Sequence, residues 1–532
     1  MLDGRIPVVV GATGARCLRE EEVPALQETV RRELRKIRKR CPSSRVMLMT
    51  GLAEGADQLC ARAALAEGCG LIASLPMPLP EYEKDFTGEA LDTLHELCGL
   101  AEEVFAVPET EPHQETRDYR YRQEGIYVAQ HCHVLLALWN GTKARPDGCG
   151  TAETISFRQH NAYRQRVEEN MAVSGGSMIV IHAGCPDSPA GPQNGRTPEV
   201  TLYDEEQLHD ILARTEQFNR EAVKPGIAGK EAGLCGGQEA VIRRMDSVYG
   251  KADALSVRHA AHFRKTLAAV SVSATALTMA FLLYDELSLH WMVLVCWVML
   301  ACLFLINRLS RKLPSHQKYP EYRLLSEGLR VQSWLFCAGT GTEVRRIMPE
   351  TWQMRAPWTM YAIAAAGIGP APEGKHPVRE DWISGQKQYH ERALDQTREK
   401  KRRNDRIQHT VLILTVLSYA AALLFEIIWG GLPGGEPCLP AETLEVVRTV
   451  LKVSMGTLSA VTIFSGNYYG KLCLEETIND HQRMIRLFAA ADERIGREGE
   501  TPELLFRLAR EELNENASWY AYQSINRPDL GI

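Results

Sequence analysis

Hydrophobic and polar positions alternate with two different periods along the chain. In the first 185 residues, short apolar runs of strand length are separated by segments in which apolar residues recur at helical spacing. The predicted helices include Val23–Arg40, Ala56–Gly68 and Thr151–Met171. The predicted strands are Ile6–Gly14, Val46–Ala53, Leu71–Met77, Glu102–Glu109, Val134–Gly141 and Ser177–Gly184. This alternation predicts an α/β domain with a mostly parallel sheet that carries helices on both faces.

The apolar runs become much longer in the second half of the chain. They are Leu267–Tyr284, Leu289–Ile306, Val411–Trp429 and Val453–Tyr469, of which the last is the least apolar. Each approaches the length of about 20 residues that a helix needs to cross a bilayer. We predict an α-helical membrane domain with four transmembrane helices in two hairpins. A buried hairpin in a soluble domain is the alternative for each pair.

The charges that flank these runs predict their orientation. The short connections Asp285–Ser288 and Gly430–Glu445 contain no Lys or Arg, whereas the segment 307–408 is rich in both. Because Lys and Arg accumulate on the cytoplasmic side, we predict a multi-pass protein of the bacterial inner membrane with both termini and segment 307–408 in the cytoplasm. Cys438 is then the only cysteine on the outer side. The amino terminus lacks a signal-peptide pattern.

Composition excludes some classes of protein. A chain of 532 residues is longer than a domain built on a single hydrophobic core. Its net charge of −6 gives no sign of a nucleic-acid partner. The 14 cysteines are scattered without metal-type pairs, which favours a reducing compartment. His131 and His133 have no second ligand cluster near them in the sequence, so we predict no metal ion and no cofactor.

Three glycine-containing loops follow predicted strands. The first is Gly11–Arg16, the second is Thr50–Asp57, and the third comprises Trp139–Gly141 and Pro146–Glu153. Because parallel sheets bind ligands beyond the carboxyl ends of their strands, we expect these loops to meet there. Glycines let backbone N–H groups approach an anion, and Arg16 supplies a forked cation, so the predicted ligand is a nucleotide. Tight packing alone is the alternative for any one loop. The predicted ligand-binding residues are Gly11, Thr13, Gly14, Arg16, Gly51, Leu52, Ala53, Glu54, Gly55, Ala56, Asp57, Trp139, Asn140, Gly141, Gly150, Thr151 and Glu153.

Several stretches of this half resemble one protein superfamily. They are VVVGATGAR, TGLAEGADQLCARAAL, LPMPLPEYEKDF, YRQEGIYVAQHCHVLLALWNG and GTAETISF. In this order they resemble the SLOG superfamily over roughly residues 5–185. SLOG domains are Rossmann-like and include ligand sensors of bacterial conflict systems as well as the LOG nucleotide phosphoribohydrolases. The resemblance implies that the three loops bind a nucleotide-derived signal.

The chain departs from the hydrolase pattern at the third loop. The LOG hydrolases carry PGGxGTxxE, whereas PDGCGTAET here has Asp147 at the second position and Thr154 in place of the glutamate. Glu153 is displaced by one residue, which rotates a helical side chain by about 100°. Asn140 stands where related sensors often have aspartate. We therefore assign no catalytic residue, and Glu54 stays open as a catalytic acid or a ribose contact.

The membrane half resembles a second module. The stretches YGKADALSVRHAAHFRKTLAAV, YRLLSEGLRVQSWLFCAG and VREDWISGQKQYHERA resemble SLATT domains over roughly residues 245–525. These domains are regarded as membrane effectors, so the resemblance implies helices that assemble into a pore. The predicted divisions are a ligand-binding domain at 1–185, a linker with a helix at 186–244, a first two-helix membrane unit at 245–345, connecting helices at 346–408 and a second membrane unit at 409–525.

Together these features predict a defence effector. Its SLOG domain would sense a nucleotide-derived second messenger, and its homo-oligomeric membrane helices would enter the inner-membrane lipid and breach it in an antiphage abortive infection. Two alternatives remain, a membrane-tethered phosphoribohydrolase-like enzyme and a nucleotide-gated ion channel.

Overall fold

The computed structural model describes residues 3–109, 116–144, 148–160, 175–184, 198–227, 239–287, 291–312, 315–341, 343–370, 378–430, 434 and 436–525. The chain forms two compact units. The first contains Met1–Leu255, Glu321–Ile383 and Ala491–Ser518; the second contains Ser256–Pro320, Ser384–Ala490 and Trp519–Ile532. Each unit is thus assembled from segments that lie far apart in the sequence.

The first unit contains a seven-stranded sheet. Its strands are β1 (Val8–Gly14), β2 (Val46–Thr50), β3 (Gly70–Leu75), β4 (Glu103–Ala106), β5 (Val134–Trp139), β6 (Met178–His182) and β7 (Val200–Tyr203). The order is β4-β3-β2-β1-β5-β6-β7, and every pairing is parallel except that of β6 with β7. The prediction of a mostly parallel sheet is confirmed, and β1 to β6 coincide with the six predicted strands. The short edge strand β7 was not predicted because its four residues, VTLY, are only partly buried or exposed and show no clear alternation.

Helices connect the strands and cover the sheet. They are α1 (Val23–Arg40), α2 (Ala56–Ala66), α3 (Leu79–Tyr82), α4 (Glu89–Leu100), α5 (Arg117–His131), α6 (Thr151–His160) and α7 (Glu205–Ala222). Helix α1 buries Leu26, Val30, Leu34 and Ile37, which recur at helical spacing and pack in the sheet core. The predicted helix Thr151–Met171 begins as expected, and its residues 161–171 lie outside the described part of the chain.

The rest of the chain is helical. It forms α8 (Ala240–Leu287), α9 (Met292–Lys312), α10 (Ser315–Cys337), α11 (Val344–Ile347), α12 (Glu350–Arg355), α13 (Pro357–Ala366), α14 (Gly385–Ile428), α15 (Ala441–Gly470), α16 (Leu474–Glu498) and α17 (Pro502–Ile525). A short π-helical segment, Arg379–Ser384, precedes α14. The chain passes from the first unit to the second within α8, because its residues up to Leu255 belong to the first unit.

Buried ion pairs hold distant segments together in the first unit. The carboxylate of Glu321 in α10 accepts hydrogen bonds from Arg214 Nη1 of α7 at 2.8 Å and from Trp358 Nε1 of α13 at 2.9 Å. The carboxylate of Glu512 in α17 accepts hydrogen bonds from Arg330 of α10 and from Trp382 Nε1 at 3.0 Å. Removing one partner of such a pair leaves a buried charge uncompensated, so these contacts tie the helices to the sheet domain.

Among the residues that the structure describes, three helices are long and apolar enough to cross a membrane. The stretches are Ala240–Glu286, Arg379–Ile428 and Ala441–Glu498. They contain the predicted spans at 267–284 and 453–469 and all of the span at 411–429 except its last residue, Trp429. The described apolar stretch of α9 is shorter, Met292–Ile306, so the predicted span Leu289–Ile306 is not confirmed and stays a prediction. Residues 288–290, at its start, lie outside the described part of the chain.

Polar contacts join α14 and α15 in the second unit. The hydroxyl oxygens of Thr415 and Thr462 are 2.9 Å apart. Closer to the α14–α15 connection, Arg448 Nε donates to Glu426 Oε1 at 2.6 Å. A charged side chain within an apolar helix costs free energy unless it is paired. Here the positive charge of Arg448 compensates the negative charge of Glu426. A Cβ at Gly456 of α15 would lie 2.5 Å from Leu282 of α8, which shows how closely these two helices approach.

One cysteine, Cys337, is oxidised, which differs from the expectation of a reducing compartment. Eleven described cysteines are free thiols, including Cys17 and Cys438, which are both exposed. Cys337 is disulfide-bonded, although the composition favoured a reducing compartment. Disulfide formation depends on which thiols the fold brings within bonding distance, and the spacing of cysteines along the sequence does not show this.

Candidate ligand-binding site

The strand order brings the predicted loops to one edge of the sheet. Successive strands run from β1 through β2 to β4 on one side, whereas β5 lies on the other side of β1. Right-handed crossovers therefore place α1, α2 and α4 on one face and α5 and α6 on the other. Gly14, the last residue of β1, is in register with Leu138 of β5. The loops after β1, β2 and β5 consequently surround the crevice where such sheets bind ligands.

Arg16 lies over an aromatic ring at this crevice. Its guanidinium carbon is 4.8 Å from the ring centroid of Tyr121 in α5. The Tyr121 hydroxyl donates to Asp85 Oδ2 at 2.5 Å. Burial, together with this hydrogen bond, raises the pKa of Tyr121 to about 12, so the hydroxyl stays protonated at neutral pH. Tyr121 and Asp85 thus position the exposed cation.

Two carboxyl groups lie close together at this crevice, and one of them, Asp57, is near Arg16. Asp57, in the first turn of α2, is 8% exposed, and Glu124 is on α5. Burial raises the pKa of Asp57 to about 7, against the opposing effects of hydrogen bonds from Thr50 and Ala53 and the charge of Arg16. Burial and the negative charge of Asp57 raise the pKa of Glu124 well above its usual range. With a pKa of about 7, Asp57 is partly protonated at neutral pH and can donate as well as accept hydrogen bonds, as recognition of sugar hydroxyls or acid–base chemistry requires.

The turn Thr50–Asp57 uses its own backbone N–H groups. The N–H of Gly51 donates to the Glu124 carboxyl, and that of Ala53 lies 3.4 Å from Asp57 Oδ2. The N–H of Ala56, at the start of α2, donates to the carbonyl of Ala15 at 3.1 Å. A phosphate at these N–H groups would therefore have to displace a partner within the chain. The geometry therefore favours side chains over these N–H groups as the ligand contacts. The side chains are those of Asp57 in this turn, Arg16 in the loop after β1 and Glu124 in α5.

The glycines of the first two loops allow close packing. A Cβ at Gly11 would lie 2.9 Å from Val128 of α5, and one at Gly14 would lie 2.3 Å from the Cβ of Ala56. Gly55 has a φ of +89°, and a Cβ there would lie 2.1 Å from the Arg16 carbonyl oxygen. Substitution of Gly55 would first disturb the contact between the two loops, so it does not test ligand binding. Leu52 also has a positive φ, 58°.

The remaining predicted residues of the first two loops occupy different positions. Thr13 lies within β1, paired with Ala137. Glu54 is exposed and lines, with Arg16, a cleft of about 540 Å³ beside α2.

Hydrogen bonds within the loop after β5 hold it in a turn. Trp139 Nε1 donates to the carbonyl of Thr142 at 3.0 Å, and the Thr142 N–H donates to Asn140 Oδ1 at 3.2 Å. Gly141 provides the positive φ, 83°, that this turn needs. Pro146 and Asp147 of the predicted third loop lie outside the described residues.

Glu153 contacts the backbone of its own loop. Its Oε2 accepts a hydrogen bond from the Gly150 N–H at 3.0 Å, just before α6 begins at Thr151. The side chain is in the first turn of that helix and is 5% exposed. This contact supports the helix start, since it satisfies one of the N–H groups that lack an intrahelical partner.

Four residues of the site were not predicted from the sequence, namely Tyr82, Asp85, Tyr121 and Glu124. The ring of Tyr82 packs edge-on against that of Tyr121, with centroids 6.1 Å apart. All four lie in stretches that carry the SLOG resemblance, LPMPLPEYEKDF and YRQEGIYVAQHCHVLLALWNG. The signal was therefore present in the sequence, but it did not reveal that α5 reaches the crevice.

The other end of α5 contacts the segment that follows α10. His131 Nε2 is 3.2 Å from Glu343 Oε1, and the Gly369 N–H donates to the Tyr127 hydroxyl at 3.2 Å. Arg345 donates to the carbonyl of Gln130. Although burial opposes it, the hydrogen bond with His131 and the charges of Arg345 and Arg346 lower the pKa of Glu343 to about 2. One helix thus contacts both the candidate site and residues 343–369 within the first unit.

Comparison with known proteins leaves the chain without a family assignment. No protein-family model matches it, and no curated protein sequence is significantly similar to it.

Proposed function

We propose that this protein is a membrane-bound sensor and effector of bacterial antiphage defence. In this proposal the SLOG-like sheet domain binds a nucleotide-derived second messenger, and the SLATT-like helices then breach the inner membrane. The observation that carries the proposal is the site at the carboxyl edge of a parallel sheet where Arg16 and Glu124 both lie near Asp57. The same chain has three helices long and apolar enough to cross a membrane.

The charge arrangement suits a nucleotide. A guanidinium binds phosphate oxygens through paired, charge-assisted hydrogen bonds, so Arg16 would take the phosphate. In sheets of this type an acidic side chain commonly holds ribose hydroxyls, and Asp57 and Glu124 are placed for that role. A protonated carboxyl beside the phosphate also avoids the repulsion that an ionised one would cause.

Helix α5 supports a connection between binding and response. It carries Tyr121 and Glu124 at the candidate site and Tyr127 and His131 at the contacts with residues 343–369. A ligand shifts a conformational equilibrium only by binding one state more tightly than the other. A ligand that changes the position of α5 would alter the contacts of residues 343–369 in the same unit.

The membrane step requires several copies. We propose that ligand-bound protomers form a homo-oligomer whose spans associate in the inner membrane, with both termini in the cytoplasm. Close helix contacts such as that of Gly456 with Leu282 support tight association of spans. The spans would contact membrane lipid directly, and neither nucleic acid nor a metal ion takes part in this mechanism.

The function test measures membrane potential in infected bacteria. Cells that produce the protein together with its genomic neighbours should depolarise and stop growing after phage challenge, as a potential-sensitive dye reports. Cells that produce a chain ending after Ala240 should keep their potential, because all three candidate spans extend beyond that residue or begin after it. Depolarisation by the shortened chain, or normal potential in all infected cells, would contradict the proposal.

The pair of buried carboxyls favours one alternative function. Two carboxyl groups with raised pKa values beside an arginine could cleave an N-glycosidic bond, as in a phosphoribohydrolase. Incubating the purified full chain with nucleoside monophosphates and assaying released base separates the two functions. Steady release of base without depolarisation in cells would favour the enzyme. A housekeeping nucleotide-gated channel would conduct without harming the cell.

The proposed topology predicts which cysteine an impermeant thiol reagent reaches. Cys438 lies in the connection between α14 and α15, and Cys17 lies in the loop after β1; both are exposed free thiols. In cells with a permeabilised outer membrane and an intact inner membrane, the reagent should modify Cys438 and spare Cys17. Detergent lysis should expose both, which controls for reactivity. Labelling of Cys17 before lysis would show that the orientation is reversed.

A further inference from the structure

A cleft adjoins the candidate site on the face of the sheet that carries α1, α2 and α4. Its volume is about 540 Å³, within the range of roughly 300–1,000 Å³ that is usual for small-molecule sites. Arg16 and Gly55 line it at the end near the carboxyl pair, and Arg62 and Thr93 line it further along α2 and α4. Because Arg16 also lies beside Tyr121, the cleft and the carboxyl pair share this cation.

One part of the cleft is apolar. Leu18 and Val23 are partly buried against the sheet core, and Leu59 of α2 is 8% exposed. All three line the cleft. A flat ring covering these side chains would remove apolar surface from water, which stabilises the bound state by about 25 cal/mol for each Å² buried.

Gln58 provides a fixed hydrogen-bond acceptor. The residue lines the cleft and is only 8% exposed. Its Nε2 donates to the carbonyl of Ala90 at 3.1 Å and contacts that of Leu52 at 3.4 Å, which fixes the orientation of the amide. Its Oε1 accepts no hydrogen bond from any residue that the structure describes. A carbonyl oxygen held in this way at the cleft wall suits an N–H donor of a ligand.

The charged side chains that line the cleft leave one position where a phosphate can bind. Arg62 Nη2 is already paired with Glu96 Oε2 at 3.1 Å and with Thr93 Oγ at 3.2 Å. Glu54 and Glu89 also line the cleft, and their carboxylates would repel a phosphate placed between them. Arg16 is the cation at the end shared with the carboxyl pair.

We propose that this cleft binds the amino-bearing purine base of a nucleotide whose phosphate is held by Arg16. The ring would lie on Leu18, Val23 and Leu59, and its exocyclic amine would donate to Gln58 Oε1. This inference rests on the proposed function, and it specifies that the signal contains a purine base with an exocyclic amine.

The test compares three probes on the full-length protein in detergent by calorimetry. They are AMP, purine riboside 5′-monophosphate, which lacks the amine, and ribose 5-phosphate, which lacks the base. AMP should bind about 5- to 150-fold more tightly than the amine-free analogue, because a ring that covers the Gln58 acceptor without donating to it costs about 1–3 kcal/mol. It should also bind more tightly than ribose 5-phosphate, which buries no ring on the apolar side chains.

A cleft-filling variant separates the base subsite from the phosphate subsite. Gln27 of α1 lines the cleft and is partly exposed, so Gln27→Trp can fill the cleft with little effect on folding. This variant should bind AMP no better than ribose 5-phosphate while its ribose 5-phosphate affinity stays unchanged. The control is Glu28→Trp, at an exposed neighbouring position that does not line the cleft.

Each outcome decides between the two proposals. Equal affinities for AMP and its amine-free analogue, or unchanged AMP binding in Gln27→Trp, would overturn the base subsite and leave the phosphate site standing. Failure of all three probes to bind would contradict both the base subsite and the nucleotide-binding part of the proposed function.

Discussion

Replacing Arg16 with alanine should abolish nucleotide binding and the membrane response that we propose. The guanidinium is the cation at the point where the carboxyl pair and the cleft meet. A charge-assisted hydrogen bond contributes about 1.5–3 kcal/mol, so a single lost contact lowers affinity about 10- to 150-fold, and a bidentate contact lowers it more. Calorimetry with AMP and the dye assay in infected cells measure the two effects.

Two further variants make this result specific. Arg16→Lys keeps the charge but loses the forked geometry, so it should retain part of the affinity. Arg19→Ala removes a nearby cation that pairs with Glu22 at 3.3 Å, and it should bind AMP as the wild type does. Wild-type affinity in Arg16→Ala would show that the phosphate binds elsewhere. Lost binding in Arg19→Ala would show that the loop had been disturbed.

Affinity for AMP should fall as the pH rises above about 7. Burial raises the pKa of Asp57 to about 7, so this carboxyl is neutral at lower pH and becomes an anion at higher pH. An anion beside a bound phosphate is repelled, so binding above pH 7 takes up a proton. Linkage then predicts a loss of up to about tenfold in affinity for each pH unit above 7. Titrations at constant ionic strength measure the slope.

Asp57→Asn is the matched variant for this prediction. It keeps the shape of the side chain without the titrating proton, so its affinity profile should be nearly flat across pH 7. Stability gives an independent readout of the same group. An acid with a raised folded-state pKa stabilises the fold most below its unfolded value, and this contribution is lost between pH 3.8 and about 7. The wild type should therefore lose more thermal stability than the variant over this interval. Parallel profiles would show that Asp57 does not titrate there.

Local patterns in the sequence were sufficient to predict most of the elements. The runs around Val8, Val46 and Val134 are strands because each is short, apolar and followed by glycine or a turn. The spacing of Leu26, Val30 and Leu34 predicted α1 because these positions share one face of a helix. Length and apolar composition likewise identified three helices able to cross a membrane, since both properties can be read within one element.

Local patterns did not show which elements meet. The limits of the first unit depend on contacts such as Arg330 with Glu512 and Arg214 with Glu321, which join residues more than 100 positions apart. The disulfide at Cys337 also depends on tertiary proximity. The packing of whole helices decides which charged side chains and which cysteines come into contact. No periodicity in the sequence shows which residues these are.

The candidate site divides in the same way. The sequence by itself determined the sheet and its glycine-containing loops, and it singled out Arg16 and Asp57, because these features depend on neighbouring residues in the chain. Only the tertiary structure decided that α5 brings Tyr121 and Glu124 to these loops and that Glu153 contacts its own loop backbone. It also decided the raised pKa of Asp57, because burial, which causes the shift, is a property of the packed fold rather than of the local sequence.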